Sequence, residues 1–217
     1  MIITDTLIIQ KAIEEIENKT FGYTNQFLNV HELVYVDNKP VISRVDREQK
    51  DGTAIVYFPV KDQRFYFIMY LNTQPEISVR AVERESGNSV YFVASSEILD
   101  FTQLSELTTL TPTRGRNKGD KRGGTFWKNS IIIFEPNSEP DEVEDKLKKL
   151  LDFLEQDKLG IKKLVDNAEG YIQVIMEFYV HNTMLGGVTL NKEDLRRIVD
   201  LNLQIDFDLH ASGKPFK

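Results

Sequence analysis

Apolar residues near the start of the chain recur at helical spacing. Leu7, Ile9, Ala12, Ile13 and Ile16 are separated by charged and polar residues, which predicts an amphipathic helix over 5–18 with Thr4, Asp5 or Thr6 as its cap. The period then shortens to two. Strands are expected over 27–35 and 40–45 around a Val36-Asp37-Asn38-Lys39 turn, and again over 54–60, 64–71 and about 77–83. Asn72-Thr73-Gln74-Pro75 and Ser86-Gly87-Asn88 punctuate these runs. Loops this short cannot make parallel crossovers, so the first part reads as a helix followed by an antiparallel meander.

From about residue 88 strands alternate with helices. A strand at 90–94 leads to a short helix from Asp100, where Asp100 and Gln103 have capping-box spacing. A strand at 127–134 precedes a helix over 140–156 with a stripe of Val143, Leu147, Leu150, Leu151 and Leu154. Ile161 to Val165 reads as a further helical turn, 171–180 as a strand, Asn191 as the cap of another helix, and 203–209 as the last strand. The pattern is β-α-β-α-β-α-β, a mostly antiparallel or mixed sheet with helices on one face. The expected class is α+β, with an N-terminal unit over 1–87 and a C-terminal unit over 88–217.

Composition narrows the function. The chain has 217 residues, 41% hydrophobic and 28% charged, with thirteen Phe, eight Tyr and one Trp, which suits a packed core. The absence of cysteine excludes disulfides, thiolate metal sites and a cysteine nucleophile. A net charge of −7 makes nucleic acid an unfavourable partner. No apolar run approaches the ~18 residues of a membrane span. The N-terminal stretch has no basic segment or small-residue cleavage site, so a cytoplasmic location is expected.

Leu107 to Trp127 reads LTTLTPTRGRNKGDKRGGTFW: a short helix ending in Pro-Thr, a glycine-containing polar loop, then a Trp-led strand. A long amphipathic helix, the capped helix NKEDLRRIVDL and the terminal strand LQIDFDLH follow in order. This succession, over roughly residues 88–213, resembles the bacterial domain-of-unknown-function 4279 family. Pro112, Thr113, Gly119 and Trp127 are the family-like positions; His210 stands near a place where the family carries an aromatic. The resemblance implies no catalytic mechanism and no cofactor.

Three stretches hold candidate chemistry. Arg114, Arg116, Lys118, Lys121 and Arg122 lie among glycines beside Trp127, as in an anion or acidic-partner site, or in an ordinary solvated loop. The spacing is not that of a P-loop, because Asp120 precedes Lys121 and no Ser or Thr follows. On the last strand Asp206, Asp208 and His210 share a face, which suits a divalent cation or acid–base work, or a plain polar edge. The helix over 140–158 is rich in acids opposite its leucines, as for a basic protein partner or for solvent. His31 and His181 have no partner in view, and no nucleophile motif is present. The reading is a non-enzymatic binding or interaction protein of immunity type or regulatory kind. The alternatives are a metal-dependent hydrolase built on Asp206, Asp208 and His210, and a small-anion binder acting through the 114–124 loop.

Overall fold

The computed structural model describes residues 4–49, 51–180 and 187–214. The fold is α+β. Two compact units form: one takes 1–87, 176–185 and 209–217, the other 88–175 and 186–208. The boundary near residue 88 is therefore one of several points where the chain passes between units.

In the first unit, α1 (Asp5–Asn18) buries Ile8, Ala12, Glu15 and Ile16, a stripe centred slightly off the expected one. Thr4 takes the cap position but its side chain makes no capping bond. A second helix, α2 (Gly22–Leu28), stands where the β-like run was expected to begin. The cause is non-local to that run. The Glu15 carboxylate, projecting from α1, accepts from the backbone N–H of Thr20 (3.2 Å) and Phe21 (3.0 Å) and from the hydroxyls of Thr20 and Thr24 (2.6 Å for Thr24). Its negative charge sits at the positive end of α2 and satisfies donors that a helix start leaves open.

A two-residue hairpin joins β1 (Tyr35–Val36) to β2 (Lys39–Pro40), with Asp37 and Asn38 at φ 50° and 60°. Both residue types tolerate the left-handed region that such a turn needs. Then β3 (Arg44–Asp46), β4 (Thr53–Pro59), β5 (Tyr66–Asn72) and β6 (Ser78–Glu85) pair in chain order, each antiparallel to the next. Alternation divides the faces. Ala54, Val56 and Phe58 stand opposite Leu71, Met69 and Phe67, in one core with Ile8, Ala12 and Phe27. Ile55, Tyr57 and Ile68 form a smaller cluster on the other side.

The second unit begins at β7 (Gly87–Ser96) and α3 (Phe101–Ser105), where the Asp100–Gln103 capping box is formed in both directions. Next come β8 (Arg114–Arg116), β9 (Lys121–Arg122), β10 (Thr125–Phe126) and β11 (Ser130–Phe134). They are followed by α4 (Val143–Leu154), α5 (Lys158–Asn167), β12 (Glu169–Tyr179), α6 (Lys192–Asp200) and β13 (Gln204–Ser212). The sheet order is β13-β12-β7-β11-β8.

Phe134 of β11 packs against Phe92 of β7 and Phe153 of α4, so α4 covers that face of the sheet. Where the sequence suggested a single helical turn, α5 is a ten-residue helix. It starts at Asp157, whose carboxylate accepts from Gly160 N–H (2.9 Å), Thr109 N–H (2.6 Å) and the Thr108 hydroxyl (2.9 Å). Those bonds hold the Asp157 carboxyl down at about 2. Arg197 of α6 reaches Asp152 at 2.6 Å and Glu155 at 3.0 Å and so fixes α6 against the end of α4.

Burial alone would raise the Glu15 carboxyl, but the bonds from Thr20, Thr24 and Phe21 outweigh it and hold it below the usual glutamate range. A lowered folded-state value gives stability that is present above the ordinary range and lost as pH falls through the folded value. Glu15→Ala should cost about 1–3 kcal/mol in urea melts at neutral pH, since it strands buried donors. Glu15→Gln should flatten the loss of stability on acidification below about pH 5, the upper edge of that titration; an acid limb identical to wild type would show that Glu15 does not carry it.

Candidate functional site

The five-stranded sheet sets the sequence candidates at its two opposite edges, the basic ones by β8 and the acidic ones on β13. Register decides which residues share a face. Ile131 stands opposite Arg116 on one side and Ser95 on the other, and Ile133 stands opposite Arg114 and Val93. Directly opposed residues of an antiparallel pair point to the same face. Arg114 and Arg116 therefore lie with Ile131, Ile133 and Val93, and Tyr91 and Tyr171 pack onto that cluster. Gly115 between the two arginines faces the other way. A Cβ there would lie 2.4 Å from the Ile131 carbonyl oxygen and 2.5 Å from the Phe101 ring. Glycine is what lets β8 close onto β11.

The expected glycine-rich loop is built of short ordered pieces. β9 and β10 form a hairpin with Arg122 opposite Thr125 and Lys121 opposite Phe126. Gly119 and Gly123 adopt φ 88° and 55°, which glycine accepts without strain. Four of the backbone N–H groups expected to converge on an anion are already used. Asn117 N–H donates to Asp120 (2.7 Å), Lys118 N–H to the Ser130 hydroxyl (3.0 Å), Gly119 N–H to the Trp127 carbonyl (2.9 Å) and Asp120 N–H to the Asn117 carbonyl (3.2 Å). At Asn117–Asp120 any anion contact falls to side chains.

Those side chains centre on Trp127. The guanidinium carbons of Arg116 and Arg122 lie 3.4 Å and 4.1 Å from its ring centre. Two guanidinium groups that close to one ring cannot share a face without overlap, so the indole is held between them. Each gains from the negative π-face, while the two like charges oppose each other. Burial, and then Arg122, depress the Arg116 guanidinium from its ordinary value. Arg116 Nε is buried with no hydrogen-bond partner. Among the described residues no carboxylate lies within ion-pair distance of Arg116, Lys118, Lys121 or Arg122. Lys118 instead donates to the Glu97 carbonyl at 2.9 Å. Arg114 differs: it pairs with Glu135 and lies 5.3 Å from the Tyr91 ring. Trp127 precedes β11 rather than opening it, and Phe126 beside it is 63% exposed.

The other edge of the same sheet is acidic. Asp206 and Asp208 are exposed on β13, and Gln173 Nε2 donates to Asp208 at 3.3 Å. Burial, followed by Glu169, Asp206 and Asp208, raises the Tyr171 hydroxyl. A cleft of about 410 Å³ runs between Ser95, Asn129, Glu169, Tyr171 and Asp206. His210 is exposed on β13 and belongs to the first unit. Among the described residues no three His, Asp or Glu side chains converge as a metal site. The row of Asp206, Asp208 and His210 is thus spread along a strand. His181 lies outside the described residues, and His31 is buried in the first unit.

The acidic helix offers less than its composition suggests. Asp141 binds Lys149 at 2.8 Å, Asp152 and Glu155 hold Arg197, Asp157 caps α5, and Glu144 accepts from Thr189 N–H at 2.7 Å.

A family model, described as a domain of unknown function (DUF4279), matches residues 85–212, more than half of the chain. The protein belongs to the DUF4279 family. No curated protein and no solved structure matches it. In this DUF4279 chain the matched segment contains both the Arg116–Trp127–Arg122 stack and the acidic strand β13. The sequence did not single out Tyr91, Tyr171, Gln173 or Glu135. Their signal was present only as alternate positions on strands, which packing explains equally well.

Gly115→Ala should destabilise the protein by about 1–3 kcal/mol, because the new Cβ meets backbone oxygen and a ring within a paired strand. The same change at Gly124, where a Cβ would meet nothing within 4 Å, should stay within about 0.5 kcal/mol. Thermal melts of the two variants measure the difference; equal costs would show that β8 does not close on β11 as described.

Proposed function

We propose that this DUF4279 protein is a non-enzymatic binding protein and that the second face of its five-stranded sheet engages an acidic segment of another protein. The observation that carries this reading is the Trp127 indole clamped between two guanidinium groups that, among the described residues, no carboxylate neutralises.

The physical argument is electrostatic. Arg116 and Arg122 repel across the ring, and Lys121 adds an exposed charge beside them. A carboxylate arriving at this edge relieves that repulsion and accepts from guanidinium forks that are held rigid by stacking. Preorganised donors lose less side-chain entropy on binding. The acids at the far edge, Asp206 and Asp208, repel the same ligand and so give the face a direction. Specificity arises partly from that repulsion. The protein's overall charge of −7 disfavours nucleic acid, whose long anionic backbone would meet the acidic remainder of the surface. An acidic protein segment presents its charge locally.

Trp127 is the chain's single tryptophan and reports on the stack directly. Titration with a hexaglutamate peptide should change its emission saturably, with affinity falling as salt rises from 50 to 200 mM, a span over which screening strengthens markedly. The Arg116→Ala/Arg122→Ala variant should bind at least about tenfold more weakly, as loss of charge-assisted bonds of roughly 1.5–3 kcal/mol implies. Unchanged affinity in that variant, or tighter binding of a single-stranded oligonucleotide than of the peptide, would overturn the reading.

A further inference from the structure

Strand β13 closes one edge of the five-stranded sheet, and among the described residues no strand pairs with its outer side. Its backbone groups divide by parity. The Ser212 carbonyl accepts from Val180 N–H at 2.7 Å, and the Asp206 carbonyl lies 3.5 Å from Gln173 Nε2. Gln173 lies on β12 and Val180 directly follows it. The N–H and C=O groups of even-numbered residues therefore turn inward, and those of Ile205, Phe207, Leu209 and Ala211 turn outward. Phe207 N–H accordingly donates to its own neighbour, the Asp206 carboxylate, at 3.0 Å. A row of outward backbone groups is a template for another strand. Two apolar side chains of the row are also open, Phe207 at 37% exposure and Leu209 at 61%.

The charges of β13 decide which strand fits. Antiparallel pairing of β13 with itself about a two-fold axis can be centred on any residue, and the centre sets every opposed pair. Centred on Asp206 or Asp208, it sets a carboxylate against its own copy. Centred on Phe207, it sets Asp206 against Asp208. Like charges directly opposed are destabilising. Centred on His210, the overlap shrinks to residues 208–212 and the two imidazoles meet. Centred on Leu209, residues 206–212 overlap and no acid faces an acid: Asp208 faces His210, Asp206 faces Ser212 and Phe207 faces Ala211.

We propose that β13 pairs with β13 of a second copy of this chain, antiparallel and centred on Leu209. The two Leu209 residues exchange N–H and C=O in both directions, since theirs point outward. Phe207 N–H leaves the Asp206 carboxylate for the Ala211 carbonyl of the second copy. Asp208 and His210 fall at non-hydrogen-bonded positions, where opposed side chains come closest. The carboxylate accepts from the imidazole N–H there, and symmetry makes the pair twice. The carboxylates that blunt this edge against other strands thereby select one register. The surface lies at the opposite edge of the sheet from β8 and does not depend on the acidic-segment reading.

Sedimentation equilibrium of the full chain over micromolar concentrations tests the proposal and should give a reversible monomer–dimer equilibrium. His210→Asp, at an exposed position, should weaken the dimer at least about tenfold, because both attractive pairs become repulsive. The Asp208→His/His210→Asp variant exchanges the two partners and should restore the wild-type affinity, which a variant that had only lost its fold could not do. A single monomeric species for the wild type, an unchanged dimer in His210→Asp, or a double variant as weak as His210→Asp would each overturn the proposal.

Discussion

The second unit depends on the register of β11. Ser130 to Phe134 are all buried, and the strand pairs with β7 on one side and β8 on the other. Strand side chains alternate strictly, so one assignment sets every neighbour. With Ile132 and Phe134 turned to the helix-covered core, Ile131 and Ile133 must face away, and Arg114 and Arg116 must go with them. A slip of one residue would place two guanidinium groups in an apolar core, at a cost no local contact could offset. The positions of the basic edge, the tyrosines and Trp127 all follow from that constraint.

The first unit shows the converse relation, in which one polar group organises apolar structure. Glu15 is buried at 5% exposure and ties the end of α1 to the start of α2. Through α2 it places Phe27, whose ring meets Phe65, Phe67, His31 and Tyr179. A single carboxylate thereby positions the aromatic core.

The proposed binding edge is the place where pairing requirements are met and charge is not. The backbone donors around Asn117–Asp120 are satisfied internally, Asp152 of α4 has Arg197, and Arg114 has Glu135. Arg116, Arg122 and Lys121 are the exceptions near Trp127. A buried or stacked charge without a counterion raises the free energy of the unliganded protein and lowers it on binding.

Much of the chain's local organisation could be read from its residues alone. The amphipathic helices, the Asp100–Gln103 box, the Asn191 cap and the Asp37–Asn38 turn are set by interactions within a few residues, so their signals lie in short windows. The family resemblance was also legible, since it rests on element order. Tertiary structure decided what depends on distant partners. Glu15 ties the start of helix α2 to α1 across a turn, and α2 takes the first two residues, Phe27 and Leu28, of the strand expected over 27–35, of which only Tyr35 is in a strand. The cations of 114–122 were visible as a cluster, but that two of them stack on Trp127 and that the N–H groups of Asn117–Asp120 are spent follow from pairing across β8, β11 and the hairpin. The surroundings of His31 were invisible for the same reason: Phe27, Phe65 and Tyr179 meet it from separate parts of the chain, and no window of sequence contains them together.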